Sequence, residues 1–495
     1  MTPKRKKKRR LYVVVPLALL VLLIGAAMAV YFWQIRLQKP VEIDMSGHRH
    51  GMDATAAAAG AHYHAPAGQS VSCDSLVAGE TSGPTRTFEL TASRKTLKLD
   101  SGKTVEAWTF NGSSPGPELR VKEGDRVVVT LRNRDIADGV TLHWHGIKVP
   151  CSQDGVAGVT QDAVLPGEEF TYEFVAGEPG TYWYHSHQMS SVQAKKGLMG
   201  SLIVEPKAES GTIAADAEAS AFYQRLDSSL LLNGSARGFN VPAKGGEEVR
   251  LRITNADNET MKFSVDGASF QVVAMDGHDL HEPGWLEGAI VAVGAGQRYD
   301  LLIRLPEAGK AVVRSPSADD PAITLGSGPE PERAEGGVPF SFLDYGTPLP
   351  EDPEREAKPD RRYELKLGQS LFVNTINGRS FHEIPPLTAK AGEKLLVAIS
   401  NEGGGDHPFH IHGHTFRVLS KNGVPLRGSP VVLDTLLTHK GDVYEVLVNA
   451  DNPGLWMMHC HNLGHASMGM SMMLNYEGLT TPYRVGTKSG NLPDL

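Results

Sequence analysis

A chain of 495 residues is too long for a single hydrophobic core, so two to four domains are expected. A net charge of -8 offers no basic field for nucleic acid, and 53 glycines with 31 prolines suit a loop-rich β protein. The exception is residues 1–10, where Lys4, Arg5, Lys6, Lys7, Lys8, Arg9 and Arg10 form a basic block. The uncharged run that follows, Leu11 to Trp33, can cross a bilayer core of ~30 Å at ~1.5 Å per residue. Basic residues before such a span keep that end cytoplasmic and place the rest of the chain outside. Tyr31, Phe32 and Trp33 suit the outer interface. A cleaved export signal is the alternative, with Ala27-Met28-Ala29 as its cleavage site and Arg9-Arg10 for a twin-arginine route. The length of 11–33 favours a retained single-pass transmembrane anchor, and both readings export the protein.

Residues 34–83 are rich in alanine and glycine and read as a flexible low-complexity linker. Met45, His48, His50, Met52, His62 and His64 lie in it. A solvated tether with incidental histidines is the reading adopted; an arm that collects copper loosely is the alternative. Three cysteines occur, Cys73, Cys151 and Cys460. In an oxidising compartment Cys73 and Cys151 can pair, which loop closure makes worth roughly 4 kcal/mol; two buried thiols are the alternative.

Beyond the linker the chain repeats itself. Phe110-Asn111-Gly112, Leu232-Asn233-Gly234 and Ile376-Asn377-Gly378 each precede a Gly-acid turn and an alternating strand ending in Asn. Gly124 to Asn133, Gly246 to Asn255 and Gly392 to Asn401 share a spacing of nine. Alternation such as Val127, Val129, Leu131 buries one face of a sandwich sheet. The expected organisation is an all-β protein of three related β-sandwich domains, 84–207, 218–350 and 360–480, with a tail over 481–495. After Asn133 the first copy carries His143-Trp144-His145, and after Asn401 the third carries His407, His410 and His412. The same place in the second reads Met261-Lys-Phe-Ser-Val-Asp-Gly267, so the middle copy is a scaffold without ligands.

The third copy ends in Trp456 to Met470, WMMHCHNLGHASMGM. Side chains alternate along a strand, so His459 and His461 face one way and Cys460 the other. A thiolate, two imidazoles and an axial thioether are the ligand set of a blue-copper centre, and Cys460, His465 and Met470 supply three of the four. His143-Trp-His145, His185-Ser-His187, the group His407, His410 and His412, and His459-Cys-His461 make four clusters. One such cluster is weak evidence, whereas four divided between the outer repeats are hard to reach by chance.

These residues resemble the four copper signatures of the multicopper oxidases, the laccase-like family of three consecutive cupredoxin-like Greek-key domains. The resemblance runs from about Thr87 to Glu477. It implies that His407, Cys460 and His465 are type 1 copper ligands with Met470 axial, and that His143 and His410 are the type 2 pair. It implies that His145, His185, His187, His412, His459 and His461 bind the two type 3 ions, making four coppers per chain. Asp154 matches the family's carboxylate beside the trinuclear cluster, where it would donate protons and orient water; an ordinary turn Asp is the alternative. Several relatives carry an acid after the second type 1 histidine, but here that position is Ala466. His414 matches a structural position. His278 and His281 read as a turn motif, and Met468, Met472 and Met473 as core. Asp406 is either a proton or ion acceptor at the type 1 rim or a surface acid.

The resemblance implies an oxidase that uses O2 and a reducing partner, either a phenol or aromatic amine or a cuprous ion; a monomer is expected. A non-catalytic copper-binding or structural cupredoxin array is the alternative; it predicts lost ligands, and none is lost.

Overall fold

Each Asn-Gly pair at the head of a repeat is a tight hairpin turn. Asn111, Asn233 and Asn377 have φ of 53°, 51° and 54°, and the glycines after them 80°, 83° and 73°. Two successive left-handed residues make a type I′ turn, which asparagine followed by glycine adopts at the least steric cost. The asparagine side chain ties the turn to the preceding strand: Asn111 Nδ2 donates to Glu89 O and its Oδ1 accepts from Thr91 N. Asn233 does the same with Ser220 and Phe222, and Asn377 with Glu364 and Lys366.

The asparagine that ends each repeat strand is buried and joins the turn after it to a facing strand. Asn133 Nδ2 donates to Ile136 O and Val164 O, Asn255 Nδ2 to Glu259 O and Val293 O, and Asn401 Nδ2 to Gly405 O and Thr438 O. An unpaired buried carbonyl is costly, so this residue sets how the chain enters the next strand in all three copies.

The structure, a computed structural model, describes residues 22, 25–26, 41–46, 70–207, 215–307, 309–333, 336–370 and 373–494. It is an all-β, cupredoxin-like fold of paired sheets. Strands between Thr85 and Glu205 form two four-stranded sheets, those between Ala217 and Pro339 two six-stranded sheets, and those between Arg361 and Tyr476 a seven- and a five-stranded sheet. In each pair a parallel match repeats: Thr85–Ala92 with Arg126–Asn133, Ala217–Tyr223 with Val249–Asn255, and Arg361–Leu367 with Leu395–Asn401.

Burial alternates along Arg126–Asn133 and Lys394–Asn401, as expected for a sheet with one face in the core. Glu248–Asn255 departs from that pattern and is buried on both faces. Its outward Arg250 and Arg252 converge on Asp300, which also accepts from Thr181 of the first sandwich. The middle sheet is covered by its neighbour, and a paired cluster of charges replaces solvent there.

The expectation of a linker throughout 34–83 needs correction. Ile43 pairs with Val485, Met45 is buried with its carbonyl on Asn475, and Val71–Ser72 pairs in parallel with Leu479–Thr480. Cys73 and Cys151 form a disulfide across a separation of 78 residues. The partners of 41–46 lie more than 400 residues away, so local composition gives no sign of them. His48, His50, Met52, His62 and His64 lie outside the described residues, as does nearly all of the expected anchor at 11–33. Among the described residues no helix is long and apolar enough to cross a membrane.

Candidate metal centre

The histidine clusters sit on short, fully buried strands or just past their ends, where His187, His412 and His461 lie. His143–His145 pairs antiparallel with Gly180–His185, placing His143 beside His185. Trp144, on the opposite face, packs against Tyr172, Phe174 and Tyr184 in the first core, which fixes the phase of both histidines. In the third sandwich His407–Ile411 pairs with Leu455–Cys460, placing Phe409 beside Cys460 and His410 beside His459.

The alternation around Cys460 divides the ligands. Cys460 Sγ lies 3.7 Å from His407 Nδ1 and 3.7 Å from His465 Nδ1. His407, Cys460 and His465 are one group of converging donors. Met470 is fully buried beside it, its carbonyl accepting from Cys460 N at 3.0 Å and its N–H donating to His465 O. On the other face, donors converge in three groups: His143, His145 and His410; His145, His185 and His461; His187, His412 and His459.

A metal accounts for otherwise unpaired nitrogens. His143, His185 and His410 donate from Nδ1 to Asp154 O, Ser186 O and Asp434 O, at 2.9, 3.0 and 2.9 Å. Their Nε2 atoms are buried without a partner. His145 is reversed: Nε2 lies 3.0 Å from Asp434 Oδ1 and from Thr435 Oγ1, and Nδ1 is the orphan. His459 Nε2 lies 3.1 Å from His412 Nε2 and 3.4 Å from His187 Nε2. Lone pairs facing each other at that range repel unless a cation lies among them.

Electrostatics favour the ligating form of seven of these imidazoles. Burial, then neighbouring histidines, holds His145, His185, His187, His412 and His461 well below the usual range, and brings His459 to about 3. Burial followed by His465 lowers His407 to about 4. The rings are therefore neutral at pH 7, as metal ligation requires. Burial pushes the Cys460 thiol up, so a thiolate there needs a cation beside it.

Asp154 is buried and bridges two ligand rings: Oδ1 lies 3.1 Å from His143 Nδ1 and Oδ2 2.9 Å from His412 Nδ1. Sequence reasoning missed a second acid, Asp434, which touches His145 and His410 from the other side. Burial opposes its charge, but Arg298 and His145 outweigh that and hold it well below the usual carboxylate range. The signal was present: a lone acid in Val431-Val432-Leu433-Asp434-Thr435-Leu436-Leu437 needs a buried partner.

The other residues singled out do not join these groups. His414 Nε2 bonds Tyr476 Oη at 2.7 Å, and His281 Nδ1 donates to Thr347 O. His278 sits in the short return strand His278–Asp279. Met472 and Met473 are buried in the strand Ser471–Tyr476, and Met468 is half-buried. Asp406 accepts from Thr260 Oγ1 and bonds His439 Nδ1 at 2.8 Å.

Family models described as multicopper oxidase match residues 91–209, 180–312 and 354–478. The chain is 28% identical to multicopper oxidase MmcO of Mycobacterium tuberculosis, over 83% of this chain and 91% of that protein. It is 26% identical to Laccase-1 of Botryotinia fuckeliana, over 79% and 82%. A solved multi-copper oxidase from Pseudomonas thermotolerans is 31% identical, with TM-score 0.67, over 80% of this chain and 100% of that one.

Proposed function

This chain belongs to the multicopper oxidase family, and from that premise we propose that it couples four one-electron oxidations of a donor to reduction of O2 to water. His407, Cys460 and His465, with Met470 buried beside them, would hold a type 1 copper. His143 and His410 would hold type 2 copper, while His145, His185 and His461, and His187, His412 and His459, would hold the type 3 pair. Bound copper supplies the one-electron redox changes and the site of O2 reduction.

The observation that carries this reading is the division around Cys460. Its sulfur faces one histidine pair while His459 and His461, bonded to it on either side, face the other cluster. The protein thereby supplies a short covalent path between a donor-accepting group and an oxygen-reducing one. His465 is partly exposed, so donors approach there, whereas the eight-histidine cluster is fully buried and excludes solvent. Asp154 orients His143 and His412 through its two carboxylate oxygens and stands where a proton donor to the cluster would be needed. No acid follows His465, so proton delivery relies on Asp154 rather than on that position.

The donor is a phenol or aromatic amine, or a cuprous ion; turnover measured on each separates them. Each ligand group is complete within one chain, so no second copy is needed to build the site. The basic block before 11–33 and the Cys73–Cys151 disulfide support a membrane-anchored protein facing outward. The deciding experiment is Cys460→Ser. It abolishes absorption near ~600 nm and donor-driven O2 uptake while the histidine-bound copper stays. Turnover at the parent rate would remove Cys460 from the electron path.

A further inference from the structure

The middle sandwich has no ligand, yet one of its turns presses on the histidine cluster. A Cβ on Gly296 would lie 2.7 Å from the His461 ring, so only glycine fits there. Gln297 Nε2 donates to Thr435 O at 2.8 Å. Arg298 is fully buried and its guanidinium is engaged on all three nitrogens: Nε with Thr181 O at 2.8 Å, Nη1 with Asp434 Oδ1 at 2.8 Å, and Nη2 with Asp434 Oδ2 at 2.6 Å. Three sandwiches meet at this side chain, since Thr181 belongs to the first and Asp434 to the third.

Two further features are shaped to it. Gly146, which follows His145, has φ of +90°, and a Cβ there would lie 2.2 Å from Arg298 Nη2 and 2.5 Å from Asp434 Oδ2. Asp276 accepts from Arg298 N through Oδ1 and from Thr435 N through Oδ2, which ties the arginine strand to the Asp434 strand. The Asp434 carboxylate in turn meets His145 Nε2, leaving Nδ1 as that ring's unpartnered nitrogen.

We propose that Arg298 is a positioning residue for the trinuclear site, holding the Asp434 carboxylate so that it fixes the reversed orientation of His145. This rests on the oxidase reading above. A planar fork with two parallel bonds to one carboxylate fixes that carboxylate's rotation, which a single ammonium cannot do. A ligand ring is held by the acceptor at its outer nitrogen, and loss of that acceptor typically weakens metal binding about 10- to 100-fold. The middle sandwich is therefore the clamp of the cluster as well as a spacer.

The test uses the full chain loaded with copper(II), as parent, Arg298→Lys and Arg298→Met. Copper retained against a graded chelator and the EPR signal of histidine-bound copper are read together. The band near ~600 nm reports on folding, because Cys460 touches none of the partners of Arg298. Arg298→Lys is expected to keep that band, to release cluster copper at about 10- to 100-fold lower chelator, and to shift the type 2 EPR signal. Arg298→Met is expected to match or exceed that loss. Parent-like retention and EPR in Arg298→Lys overturn the proposal, and this variant decides it alone if Arg298→Met does not fold. A blue parent with intact cluster signals supports the oxidase reading whatever the variants do, whereas a parent that binds no copper overturns both.

Discussion

The third and middle sandwiches share one frame and differ in what it carries. Counting from the buried asparagine that ends the repeat strand, His407, His410 and His412 stand where the middle copy has Met261, Ser264 and Asp266. Both asparagines make the same two bonds to carbonyls. At the third ligand position the middle copy makes an internal ion pair, Asp266 with Arg314, where the third copy turns His412 toward His459. Strand, turn and buried amide are thus the scaffold, and metal chemistry is a substitution upon it. The middle copy contributes from a different place, the turn before Arg298.

Variants at matched positions test that division. His410→Ala should abolish O2 reduction by removing a ligand shared with the first sandwich, read as oxygen uptake and copper per chain. Acid should separate the copies next. His459 in the copper-free protein sits at about 3 against an ordinary 6.5, so the unfolded chain binds the extra proton between those values. Stability from that group is full above pH 6.5 and falls as pH drops, by about 1.4 kcal/mol per pH unit. Hydrogen exchange at pH 5 should open the histidine-bearing strands before the middle sandwich, and equal protection would contradict this. Asp154→Asn should leave the blue band intact and slow O2 uptake by about 10- to 100-fold; an unchanged rate removes Asp154 from the mechanism.

Smaller effects probe the frame. Asn401→Ala and Asn255→Ala each leave one buried carbonyl, Thr438 O or Val293 O, and one part-buried carbonyl without its donor, and should cost about 1–3 kcal/mol in urea melts. Only Asn401→Ala should also move the blue band, because Gly405 and Thr438 flank His407. Ser264→Ala, the counterpart of His410→Ala, should change stability by less than about 0.5 kcal/mol and leave copper content untouched.

The periodicity of the chain was enough to place the first histidine of each cluster on a strand, whereas His187, His412 and His461 fall just past strand ends and His465 lies in the short helix Leu463–Ser467. Three Asn-Gly turns with a constant spacing to a terminal asparagine are local signals, because turn conformation and strand alternation depend on near neighbours in the chain. The opposite facing of Cys460 and its flanking histidines follows from the same geometry. Tertiary packing alone decided that Arg298 meets Asp434 across 136 residues, that Met45 docks beside Asn475, and that Glu248–Asn255 is covered on both faces. Those contacts depend on which surfaces three folded sandwiches present to one another. A buried charge or a docked strand finds its partner only once the intervening chain has closed, and that closure is a property of packing rather than of any local pattern.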